Sequence, residues 1–138
     1  MIKKVRAVIY DIKEGKAHFL ILHRILRWSG WEILKETIEQ GEALIEALER
    51  GIKEETQLKN FEIIHNLNKT EKWQKDGIDY EIAATFLVKA DADEKISLKQ
   101  EINEHDGYEW VDKETAIERL TWPETKKTIK EIDDKLLV

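Results

Sequence analysis

Glu42-Ala-Leu-Ile-Glu-Ala-Leu-Glu-Arg-Gly-Ile-Lys-Glu-Glu-Thr-Gln-Leu58 is an amphipathic stretch that ends on an acidic pair, Glu54 and Glu55. Leu44, Ile45, Leu48 and Ile52 recur at the 3.6-residue spacing of a helix laid on a sheet, so a helix is predicted over residues 43–56. At 100° per residue, positions 51, 54 and 55 share one sector of its surface, and carboxylates placed there would converge. Hard divalent cations take such oxygens, and Mg²⁺ pairs one or two protein carboxylates with substrate phosphates. Adjacent glutamates also decorate the solvated edges of ordinary helices, so the pair alone does not specify a metal. Gly51 is the exception within the stretch, because glycine in a helix interior costs about 1 kcal/mol relative to alanine.

Read from Glu36, the segment resembles the Nudix box: Gly, five residues, Glu, seven residues, then Arg-Glu-apolar-x-Glu-Glu-x-Gly-apolar. Glu42, Arg50, Ile52, Glu54, Glu55 and Leu58 fall on matching positions. Glu36 and Gln57 stand where the family has glycine, and Gly51 stands where it has its first helical glutamate. The resemblance implies that Glu54 and Glu55 hold metal and that Glu42 and Arg50 form a structural ion pair bracing the loop against the helix. It also makes the loss at position 51 a defect in the metal site. Two outcomes are open for Glu36. Its side chain could enter the space vacated at Gly51 and return a carboxylate to the metal, or it could merely fill that space or pair with Lys35 or Arg50.

The resemblance continues outside the box. Trp31-Glu-Ile-Leu-Lys35 occupies the place of the family's aromatic-x-x-Pro-Lys segment, with Leu34 for proline, and Lys35 is either a phosphate contact or an ordinary surface lysine. Glu104-His105-x-x-Tyr108-x-Trp110, followed by Trp122-Pro-Glu-Thr, is similar to the carboxy-terminal third of the diadenosine tetraphosphate hydrolase branch. This likeness implies that Glu104 supplies a further metal-binding or basic carboxylate from a loop, with Glu101 as the fallback.

The remaining chain is read from local pattern. Val5 to Ile12 and Ala17 to His23 form a hairpin about Gly15, residues 24–41 a long connection, and Phe61 to Trp73 and Ile78 to Ala90 two strands about Asp76-Gly77. Tyr108 to Val111 reads as a short strand, Lys113 to Leu120 as a short helix, and Pro123 as the opening of a last helix to about Leu137. The expected fold is α+β, the Nudix fold, with a mixed β-sheet sandwiched between helices as an α/β/α single domain over residues 1–138. Trp28 is expected to stack on a nucleotide base, with Tyr80 as a second stacking surface, while Trp110 and Trp122 are assigned to core packing. His23, His65 and His105 show no metal-ligand spacing.

Composition narrows the function classes. The balance of 29 acidic against 23 basic side chains, net −6, disfavours nonspecific binding to nucleic acid or an anionic membrane. No cysteine is present, which excludes disulfides, thiolate zinc sites and cysteine nucleophiles. No apolar run approaches spanning length, and a cytoplasmic protein is the expectation. Taken with the resemblance, the expected activity is metal-dependent, Mg²⁺ or Mn²⁺, pyrophosphohydrolysis of a nucleoside-diphosphate-linked substrate such as a dinucleoside polyphosphate. The alternative is a nucleotide-binding or protein-interaction module with the same fold and no turnover.

Overall fold

A computed structural model describes all of residues 1–138. Two long strands organise it. β1 (Ile2–Lys13) and β7 (Ile78–Ala90) lie parallel to one another, and each is long enough to take different antiparallel partners at its two ends. β2 (Lys16–Arg24) pairs with the second half of β1, and β4 (Leu34–Thr37) pairs with the first half, Lys4 opposite Thr37 and Val5 opposite Glu36. β5 (Phe61–Asn66) and β6 (Glu71–Lys75) divide β7 in the same way. β3 (Gly30–Glu32) and β8 (His105–Asp112) both pair with β2 and complete a mixed eight-stranded sheet.

Alternation along the strands loads both faces. Val5, Ala7 and Ile9 of β1, with Leu22, Leu34, Ala84 and Val88, pack against Leu48 and Ile52 of α1 (Leu44–Thr56). Val8, Tyr10, Phe19, Ile21 and Leu87 face the other way, toward Ala116 of α2 (Lys113–Arg119) and Ile129 of α3 (Pro123–Lys130). The expected α/β/α arrangement is therefore observed, with side chains on alternate residues entering separate cores. No helix is long and apolar enough to cross a membrane.

Several elements differ from the sequence expectation. The connection 24–41 contains β3 and β4, short strands without strong periodicity whose pairing is supplied by β1 and β2. Phe61 to Trp73 is broken at Leu67–Thr70, where Asn68 adopts a φ of 55°. The last helix stops at Lys130, and a short 3-10 turn follows at Asp134–Leu136. On α1 the buried row is Ala47, Leu48, Gly51, Ile52, Glu55 and Thr56, whereas Leu44 and Ile45 in the first turn are exposed. Trp122, assigned to the core, is instead 45% exposed at the N-cap of α3; Trp110 is half-buried against the α1 core.

Candidate active site

The buried row of α1 faces β4, and the site grows from that contact. Gly51 and Glu55 are four residues apart on this row, while Glu54 is rotated 100° away toward solvent. A β-carbon built on Gly51 would stand 2.7 Å from Cβ and 2.9 Å from Cγ of Glu36. The two departures from the box are thus complementary in space: the Glu36 side chain lies where a side chain at position 51 would have to be. Its carboxylate accepts from Arg50 Nη1 at 3.1 Å, yet burial, with Glu54 and Glu104 nearby, outweighs Arg50 and raises its pKa above the ordinary value.

Arg50 holds the loop to the helix. It donates to both carboxylate oxygens of Glu42, Nε at 2.8 Å and Nη2 at 2.9 Å, and to the Thr37 carbonyl at 2.7 Å. Glu42 also accepts from the Glu39 amide at 2.9 Å, and these bonds, led by Arg50, hold its pKa down to about 2. The bidentate fork fixes geometry as well as charge. Arg50 Nη1 further reaches Glu54 at 3.3 Å. At the other end of α1, Gln57 takes a φ of 61°, so the left-handed turn that glycine normally supplies is kept without glycine.

Glu55 is only 4% exposed, and its Oε2 has no hydrogen-bond partner. Ligand atoms of Glu55, Glu104 and His105 all lie within 4.8 Å of one another. Burial first, then the charges of Glu36, Glu104 and Glu32, push the Glu55 pKa well above the carboxylate range. A buried carboxylate left unpaired among other carboxylates is strongly unfavourable as the anion, and it is relieved either by a proton or by a cation. The donor set therefore suits a divalent cation, and the orphaned Oε2 is the atom a cation would satisfy.

Glu32, which the sequence did not single out, is also buried. Its Oε2 lies 2.7 Å from His105 Nε2 and accepts from Arg24 Nη1 at 3.1 Å, with Lys35 Nζ at 3.7 Å from Oε1. Burial opposes its ionisation, but the His105 bond and the Lys35 and Arg24 charges outweigh that and hold its pKa below the ordinary value. Arg24 Nη1 is 3.9 Å from Glu104. Its guanidinium also sits over the Trp28 ring, 5.5 Å from the centroid, and Trp122 meets Trp28 edge-on at 5.0 Å. Lys4 joins this margin, its pKa lowered by burial and by the Lys35 and Arg24 charges.

The structure thus brings Glu55, Glu104 and His105 together, with Glu32, Glu36, Arg24 and Lys35 around them. Glu54 is turned outward to Arg50, and Glu101 is exposed. Tyr80 on β7 lies directly opposite Trp73 on β6, their rings stacked at 5.3 Å.

The family assignment rests on the whole fold as well as this helix. The model of the NUDIX domain family matches residues 2–132. The chain belongs to that family. Among solved Nudix and related structures it resembles the C. elegans Ap4A hydrolase binary complex at a TM-score of 0.81, with 24% identity over 94% of this chain and 93% of that one. It also resembles the E. coli dihydroneopterin triphosphate pyrophosphohydrolase, at a TM-score of 0.73 and 19% identity over 94% and 93% of the two chains. At these identities the likeness is one of fold. A curated relative from Myxococcus xanthus, named octanoyltransferase, is 30% identical over 115 residues. That match covers 80% of this chain but only 30% of the relative, so the chain spans under a third of that protein's length. Of the residues gathered around Glu55, the sequence reading proposes Glu55, Glu104, Glu36 and Lys35, sets His105 aside for want of metal-ligand spacing, and gives Glu32 no role. His105 stands beside Glu104 in one quoted motif and Glu32 beside Trp31 in the other, but neither motif points to their pairing.

Proposed function

We propose that the chain is a single-domain Nudix pyrophosphohydrolase that cleaves a nucleoside-diphosphate-linked substrate, a dinucleoside polyphosphate, slowly and with Mg²⁺ or Mn²⁺. The observation that carries this reading is the buried Glu55 carboxylate, whose Oε2 has no hydrogen-bond partner and which groups with Glu104 and His105, ligand atoms of all three lying within 4.8 Å of one another. Glu55 and Glu104 would hold the cation, which when bound polarises phosphoryl oxygens and acidifies a coordinated water. Glu104, half-buried on its loop, would accept the proton of the attacking water. Lys35, Lys4 and Arg24 supply positive charge for the phosphates beside these carboxylates. Trp28, already in contact with Arg24, offers its ring to a base. Glu54 and Glu36 each give one carboxylate oxygen to Arg50 and keep the other for a cation. Tyr80 has one ring face on Trp73, and a base would stack on the other.

Slow turnover follows from Gly51, since the helix carries no carboxylate there and Glu36 fills the space. The same observation favours a second reading, a nucleotide-binding module without turnover. Hydrolysis assayed with Mg²⁺ and with Mn²⁺ across a nucleotide panel separates the two. The enzyme reading expects metal-dependent release of phosphate-bearing products, greatest with dinucleoside polyphosphates and lost in Glu55→Gln. Nucleotide binding with no product under either metal would establish the module instead.

A further inference from the structure

Carboxylate sites that bind Mg²⁺ are built from oxygen, yet the group assembled here includes an imidazole. His105 is buried, and its Nε2 is 2.7 Å from Glu32 Oε2, an oxygen that Arg24 also holds. The Glu32 contact occupies Nε2 and leaves Nδ1 as the ring nitrogen open to a cation. A metal-binding histidine characteristically donates its other ring N–H to a carboxylate in this way, which fixes tautomer and ring orientation. Glu32 and His105 were brought to Glu55 and Glu104 by different strands, β3 and β8, through their common neighbour β2. His105 offers a ring nitrogen within 4.8 Å of ligand atoms of Glu55 and Glu104, and Glu55 is a buried carboxylate with an oxygen left without a hydrogen-bond partner.

We propose that His105 is a nitrogen ligand of the divalent cation, oriented by Glu32, and that it replaces in part the carboxylate missing at Gly51. This rests on the metal-site reading above and deepens it. One imidazole in place of one carboxylate shifts preference from Mg²⁺ toward Mn²⁺ and later first-row cations, for which nitrogen donors are better matched. Glu32 is a positioning residue, acting through the ring and not on the metal.

The test uses the full chain with Mn²⁺ alone, no nucleotide, and reads pulsed electron paramagnetic resonance together with equilibrium affinity. The expected spectrum shows ¹⁴N coupling of a directly bound imidazole. That coupling should vanish in His105→Gln and persist in Glu32→Gln, where affinity falls by about 10–100-fold. The parent should also bind Mn²⁺ on the order of tenfold or more tighter than Mg²⁺. Because the ¹⁴N readout is made on the parent, the outcome does not depend on either variant folding. Tight Mn²⁺ binding without ¹⁴N coupling would overturn the histidine ligand and leave the carboxylate site standing. Coupling that survives in a folded His105→Gln would assign it to another histidine and overturn the proposal. Absence of Mn²⁺ binding would remove both the ligand and the metal site.

Discussion

Gly51→Ala would ordinarily stabilise a helix by about 1 kcal/mol. Here the new Cβ would lie 2.7 Å from Glu36 Cβ and 2.9 Å from its Cγ, whereas carbon atoms pack best near 3.5–4.0 Å. Forcing an extra methyl into a packed contact costs about 1–3 kcal/mol, so the sum is expected to be destabilising by up to about 2 kcal/mol. Position 36 then discriminates the cause. Glu36→Ala removes Cγ and the carboxylate but leaves the Cβ at 2.7 Å, so it should relieve only part of the cost. Glu36→Gly removes both and should restore the full propensity gain. A double-mutant cycle isolates this coupling from the separate effect of Arg50 losing a partner, and a favourable coupling of about 1–3 kcal/mol is expected with Gly at 36. The assay is urea unfolding, read as a change in midpoint at constant slope. A Gly51→Ala variant more stable than the parent, or equal coupling with Ala and Gly at 36, would refute the steric linkage.

Three further outcomes follow from the site. Restoring the family's carboxylate by Gly51→Glu should raise metal-dependent hydrolysis little by itself, because Glu36 occupies the space, and much more with Glu36→Gly; additive rate effects would sink the linkage. Glu42→Gln should lower the melting temperature at neutral pH. The Glu42 pKa is held to about 2, so its stabilisation is complete above its ordinary value near 4.5 and is lost as pH falls from there toward 2. Melting curves of parent and variant should therefore converge in acid, and a constant difference across pH would reject the bracing role. For Glu55 the sign is opposite: its raised pKa means that metal-free stability declines as pH rises above the ordinary carboxylate value. Glu55→Gln should accordingly stabilise the metal-free chain at pH 7 to 8 while abolishing Mn²⁺ binding, and thermal melts with and without Mn²⁺ would expose a failure of either half.

Local pattern was sufficient for what depends on neighbours in the chain. The apolar spacing around Leu48 and Ile52 specified α1, the Gly15 and Asp76-Gly77 turns located two hairpins, and the resemblance to the Nudix box implied a Glu42–Arg50 pair that the structure closes with two bonds. Even the Glu36–Gly51 exchange was legible, because a missing side chain and an added one stood at related places in one motif. Partner-dependent features were not. β3 and β4 exist because β2 and β1 offer edges to them, and their few residues carry no periodicity of their own. Glu54 and Glu55 look equivalent in sequence, but 100° of helix rotation sends one to Arg50 at the surface and buries the other beside Glu104. Glu32 and His105 are 73 residues apart, and only the sheet order β3-β2-β8 makes them hydrogen-bonded neighbours. Burial then determines the chemistry: the same glutamate that would be an ordinary solvated acid on an exposed helix becomes, when desolvated and left without a partner, a place for a cation.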